Sequence, residues 1–167
     1  YNYFVERMIK MKKSLRVTEV IGALGAILFA YGKDKKNKQE MKHQQEFSKK
    51  IVSYYALLNQ WLKIKQQGKS LTEYFHKNDI QSIAIYGYKE LGERLYDELK
   101  GSDIEIKYII DKNIDYIRAE IDVYSPDESL PQVDAIVVTA TYYYDEIEDE
   151  LNDMGDFLII SLEDVVI

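Results

Sequence analysis

The chain has 167 residues, with 22 Lys+Arg against 29 Asp+Glu, 46% hydrophobic residues, 13% aromatics and no Cys. That composition excludes a disordered or collagen-like chain, a disulfide-stapled module and a Cys-ligated metal centre. Two histidines, His43 and His76, leave little for a His-rich metal site or a His-dependent triad. The net charge of −7 divides unevenly: residues 1–78 carry 16 Lys+Arg and 6 Asp+Glu (+10), residues 79–167 carry 6 and 23 (−17). Such asymmetry implies two parts in different surroundings. We expect a basic helical segment over residues 1–69 and an α/β domain over 70–167. The sequence begins at Tyr1 rather than Met, so its first residues are not read as a native start.

Residues Val20 to Tyr31 are uncharged and mostly apolar, and the run extends back to Val17 through Thr18 and Glu19. Fifteen helical residues span about 22 Å, short of the ~30 Å hydrocarbon core. Basic residues flank the run on both sides, Arg7 to Arg16 before and Lys33 to Lys42 after, so charge sets no orientation. Two readings of 17–31 stay open: a membrane anchor or re-entrant helix, and a buried helix in an assembly. A long polar helix follows over 34–66, free of Pro and Gly. Phe47, Ile51, Tyr54, Leu58 and Trp61, spaced 4, 3, 4, 3, form a coiled-coil-like seam. The seam implies a homodimer through residues 40–66, against the alternative of a helix packed on its own domain. Gly68 ends the helix. Ser70 with Glu73 has the spacing of a capping box before a short helix, Leu71–Lys77. No nucleic-acid reader motif accompanies the basic residues, and no nucleic-acid partner is expected.

Beyond residue 79 strands and helices alternate. Strands are expected at Ser82–Tyr86, Ile104–Ile110, Ile121–Tyr124, Asp134–Thr139 and Phe157–Ile160. Helices are expected at Leu91–Lys100 and Tyr142–Met154, with a terminal turn or helix at Leu162–Ile167. Apolar strands alternating with helices imply a parallel sheet covered on both faces. The reading is a half-size doubly wound, Rossmann-like unit of about five strands, ordered 3-2-1-4-5.

The first strand runs into Gly87-Tyr88-Lys89-Glu90-Leu91-Gly92. A dinucleotide fingerprint places glycines at 87, 89 and 92. Gly87 would make the tight turn and Gly92 would bring helix close to strand, while Lys89 stands in the middle glycine's place. Its side chain crowds a pyrophosphate's approach, though its ammonium can meet a phosphate, and the helix N-terminus offers free N–H groups. Asp111 ends the second strand, where a carboxylate can bond ribose hydroxyls. Thr139 and Thr141 follow the fourth strand, at the edge where the strand order reverses. There hydroxyls can bond phosphate or ribose, with Thr141 equally placed as a helix N-cap. Candidate ligand-binding residues are therefore Gly87, Tyr88, Lys89, Gly92, Asp111, Thr139 and Thr141. No constellation of nucleophile with acid or base appears, and the acidic run from Asp145 to Asp153 reads as a solvated helix face rather than a metal site.

Ile83-Ala84-Ile85-Tyr86-Gly87-Tyr88 with Leu91-Gly92, Tyr108-Ile109-Ile110-Asp111-Lys112, Val133 to Thr139 and Ile159 to Asp164 together carry a resemblance. Residues 71–167 resemble small Rossmann-like domains of bacterial cell-surface polysaccharide biosynthesis proteins. They are similar to the nucleotide-sugar-binding N-terminal domain of bacterial sugar N-acetyltransferases. The resemblance implies a nucleotide or nucleotide-sugar crevice near Gly87, Asp111 and Thr139. The left-handed β-helix that those acetyltransferases carry is not in this sequence, so acetyl transfer is not expected. The leading expectation is a non-catalytic, cytoplasmic binding module for NAD(P) or a nucleotide-sugar, dimeric and in contact with the inner face of the membrane through 17–31. Two other readings are an NAD(P)-dependent oxidoreductase or sugar-nucleotide-modifying enzyme, and a structural dimeric adaptor with an empty cleft.

Overall fold

The computed structural model describes Lys33 and residues 36–167. The apolar run 17–31 and the basic residues before it lie outside them. Among the described residues no helix is long and apolar enough to cross a membrane. Two compact units divide between Ile51 and Val52. In the first, residues 36–51 are helical, with Lys36–Glu40 and Lys42–Glu46 pairs at 3.8 Å. Met41, Phe47 and Ile51 are exposed there.

The second unit, Val52–Ile167, holds a five-stranded sheet. The helical run α1 spans 36–66, and its residues 52–66 belong to this unit. The elements after it are α2 (Thr72–Lys77), β1 (Ser82–Tyr86), α3 (Glu90–Leu99), β2 (Glu105–Ile110) and β3 (Val123–Tyr124), then β4 (Ala135–Val138), α4 (Tyr144–Asn152), β5 (Ile159–Ser161) and α5 (Leu162–Val165). The sheet is wholly parallel, in the order β3-β2-β1-β4-β5 that the alternating pattern implies. This is a small Rossmann-like fold.

Strand alternation divides the core into two layers. Ile83, Ile85, Ala135 and Val137 face α3 and α5, against Leu91, Leu95, Leu99, Leu162 and Val165. Ala84, Tyr86, Ile136 and Val138 face the other way, against Ile147 and Leu151 of α4. The central strands β1 and β4 are buried on both faces, which is why they read as unbroken apolar runs. A register shift between Ile83 and Ala84 breaks the β1–β2 ladder once.

The first layer also takes Leu57, Trp61 and Ile64 of α1, each at most 7% exposed. The sequence reading places residues 52–66 with the helical segment and draws the boundary at 69/70; in the structure these residues share the sheet's core. The seam accordingly splits. Trp61 is buried and Tyr54 half-buried against the domain, whereas Phe47, Ile51 and Leu58 are exposed. Burying a side chain as large as Trp61 contributes about 3 kcal/mol or more, and that holds the C-terminal part of α1 on its own domain.

Several boundaries differ from those expected. The Ser70–Glu73 capping box does not form: the N-cap of α2 is Leu71, without a side-chain cap. Ser70 Oγ instead accepts from Thr72 N at 3.3 Å and donates to Glu98 Oε1 of α3 at 3.4 Å. The third strand starts at Val123 rather than Ile121, because Ile121 leaves the ladder to pack against the core. The helix expected from Tyr142 opens as a 3-10 turn, Thr141–Tyr143, before α4 proper. His76 sits on the surface, its Nε2 2.8 Å from Asp103 Oδ2.

Candidate functional site

The carboxyl edge of the sheet, where the order reverses between β1 and β4, places most of the candidate residues together. Gly87 follows β1 directly with φ +89°. A Cβ there would stand 3.1 Å from Thr139 Oγ1 and 3.6 Å from Ala140, so the conformation calls for glycine and a side chain would press on the Thr139 hydroxyl. At Gly92 a Cβ would lie 2.1 Å from the Gly87 carbonyl oxygen, far inside van der Waals contact. Gly92 therefore lets α3 start against the turn it follows, the part the fingerprint assigns to its third glycine.

Thr139 and Asp111 hold this turn from two sides. Thr139 Oγ1 donates to Gly87 O at 2.6 Å and lies 3.1 Å from Tyr86 O. The hydroxyl is 3% exposed as a residue, so it closes the floor between the two strand ends. Asp111 Oδ2 accepts from Tyr88 N at 2.9 Å and Oδ1 from Asn113 N at 2.8 Å. Both carboxylate oxygens of this buried residue thus carry backbone N–H donors, and a ribose hydroxyl would reach only their remaining lone pairs.

The other candidates sit around that floor. Lys89 is the N-cap of α3, exposed, with extended backbone and no side-chain cap beneath it. The start of α3 therefore presents N–H groups that no capping side chain takes. The Tyr88 ring packs edge-on against Tyr96 of α3 at 6.0 Å. Thr141 does not cap α4, whose N-cap is Tyr143. Its hydroxyl is buried and has no hydrogen-bond partner, an uncommon state for such a group. Tyr142 and Tyr143, both exposed, stand beside it as an edge-to-face pair. The Tyr54 phenol of α1 comes near Tyr143, Glu90 and Glu163, and burial first and these neighbours second push its pKa up. Tyr54 also packs against the sheet's core, a position that its sequence gives no means of locating.

A second group missed in the sequence lies on the α4 side. Tyr86 Oη donates to Glu150 Oε2 at 3.3 Å, and Lys112 Nζ meets the same oxygen at 2.9 Å. Desolvation, then the charge and hydrogen bond of Glu150, then Asp111, drive the Tyr86 pKa well above its ordinary value. Tyr86 is accordingly a neutral donor at physiological pH. The acidic run of α4 is therefore only partly a solvated face. Asp145, Glu146, Asp149 and Asp153 are exposed, whereas Glu150 holds Tyr86, and Glu148 accepts from Tyr144 Oη at 2.7 Å.

Comparisons with protein-family models, curated proteins and solved structures find no match to this chain.

Proposed function

We propose that residues 52–167 form a nucleotide- or nucleotide-sugar-binding module with no catalytic machinery of its own. The observation that carries this reading is the unpartnered, buried Thr141 hydroxyl on the loop next to the Gly87 turn. Burying a hydroxyl unpaired costs about 1–3 kcal/mol, a cost that a ligand oxygen would relieve. The uncapped start of α3 and the exposed Lys89 support an anionic group on the ligand. Asp111 and Thr139 act as positioning groups that hold the turn. The resemblance to polysaccharide-biosynthesis domains supports a nucleotide-sugar over a dinucleotide. On this reading the module serves surface polysaccharide assembly in the cytoplasm, with 17–31 as its contact with the inner face of the membrane.

Thermal-shift titration against UDP-sugars, CMP, NAD(H) and NADP(H) tests it. A ligand at 100 times its Kd stabilises the protein by about 2.7 kcal/mol, a rise of several degrees. The largest shift is expected with a UDP-sugar, reduced in Lys89→Ala. Absence of any shift at millimolar concentration overturns the reading and favours an adaptor with an empty cleft. Reduction of a nicotinamide by an added sugar nucleotide would instead establish an enzyme.

A further inference from the structure

The C-terminal part of α1 carries two apolar stripes, of which the core uses only one. Tyr54, Leu57, Trp61 and Ile64 turn onto the sheet. Tyr55, Leu58 and Leu62 are 71%, 42% and 55% exposed. At 100° per residue these three fall within about 60° of one another, on a flank turned away from the core. Between this flank and α3 runs an open groove of about 350 Å³, floored by Leu58, Trp61 and Leu62.

The rims of the groove are charged, and their charges cancel. Lys65 pairs with Glu98 at 2.7 Å, and Arg94 pairs with Asp97 at 3.4 Å. This face is therefore near neutral on a compact unit, residues 52–167, that is strongly acidic as a whole. The α4 face, with Asp145, Glu146, Asp149 and Asp153 exposed, would repel a copy of itself. A twofold interface sets one patch against itself, so it needs apolar surface and no net charge. The groove supplies both, with Lys65 on the α1 rim and Arg94, Asp97 and Glu98 on the α3 rim.

We propose that a second copy of this chain docks in the groove between α1 and α3. The twofold axis runs along the groove, so α1 of one copy lies over α3 of the other. Leu58 and Leu62 meet their own equivalents near the axis, and Lys65 faces the partner's Asp97. The interface differs from the seam read from the sequence, because Tyr54 and Trp61 of that seam are turned into the protein's own core. It is independent of whether the crevice binds a nucleotide.

Sedimentation analysis of the full 167-residue chain tests the proposal, with Leu58→Lys/Leu62→Lys as the variant. Both side chains are exposed, so the variant should keep its circular dichroism spectrum and Tm. The wild-type chain is expected to sediment as a dimer, and the variant to raise the dimer Kd at least tenfold. Because the chain has no Cys, single-cysteine variants give a second reading. Oxidised Leu58→Cys and Leu62→Cys should each run as a disulfide-linked dimer, and Glu146→Cys on α4 should not. A monomer at 200 µM, a dimer indifferent to the double substitution, or equal cross-linking at all three positions would overturn the proposal.

Discussion

Replacing Gly92 by Ala adds one methyl group where the structure leaves no room for it. The new Cβ would fall 2.1 Å from Gly87 O, 3.1 Å from Gly87 C and 3.4 Å from Thr139 Oγ1. Ordinary carbon–oxygen contact needs more than 3 Å, so the turn and the start of α3 must separate by about 1 Å. The two nearest atoms are backbone, so no side-chain rotation relieves the clash. Overpacking of this kind costs about 1–3 kcal/mol. The same displacement strains the Thr139–Gly87 hydrogen bond of 2.6 Å, whose loss adds about 1 kcal/mol. The expected total is about 2–4 kcal/mol, or roughly 6–20 °C in Tm for a unit of this size. Gly101→Ala is the control: its φ of +84° strains any side chain, but nothing lies within 4 Å of the new Cβ. That substitution should cost only about 1–2 kcal/mol. Urea unfolding of the two variants, followed by circular dichroism, makes the comparison. A Gly92→Ala chain as stable as Gly101→Ala would refute the close approach of α3 to the Gly87 turn.

Other substitutions test other joints of the structure. Trp61→Ala should lower the unfolding free energy by about 3–5 kcal/mol, measured by urea denaturation; a loss under 1 kcal/mol would mean α1 is not part of the core. Thr139→Val keeps the volume but removes the hydroxyl that closes the crevice floor, and should cost about 1–2 kcal/mol while sharpening no ligand response. Asp134 Oδ2 accepts from Gln81 N, Ser82 N and Ser82 Oγ, which hold its pKa below the ordinary 3.8. A depressed carboxylate contributes stability that is present above pH 3.8 and fades as pH falls through its folded value. Asp134→Ala should therefore be less stable than wild type by about 1 kcal/mol at pH 7, and the gap should narrow below pH 3.8. A gap that widens in acid would contradict the assignment.

How far the sequence revealed this protein depended on the range of the forces involved. β1 and β4 were legible because strands buried on both faces must be apolar throughout, and the strand order followed from alternation and right-handed connections. Gly87 and Gly92 were legible because a φ of +89° strongly favours glycine and a 2.1 Å approach admits no Cβ. The orientation of α1 was not. Its apolar residues cover more than one face of the helix, and spacing alone does not say which stripe meets the sheet. The role of Asp111 was half legible: its place at the end of β2 was readable, but its bonds to Tyr88 N and Asn113 N depend on a loop path that sequence does not encode locally. Ser70 shows the same limit, because Glu98, 28 residues away, supplies the partner that a local capping box assigns to Glu73. The Tyr86–Glu150–Lys112 group was out of reach for the same reason, joining residues from β1, α4 and the loop after β2.

The central claim concerns the crevice, and chemical-shift mapping of the isotope-labelled chain tests it most directly. Titration with a UDP-sugar should move the amides of Tyr88 to Gly92 and of Thr139 to Thr141, and leave those of α2 unchanged. Shifts confined to other surfaces, or none at millimolar ligand, would contradict a binding site at the start of α3.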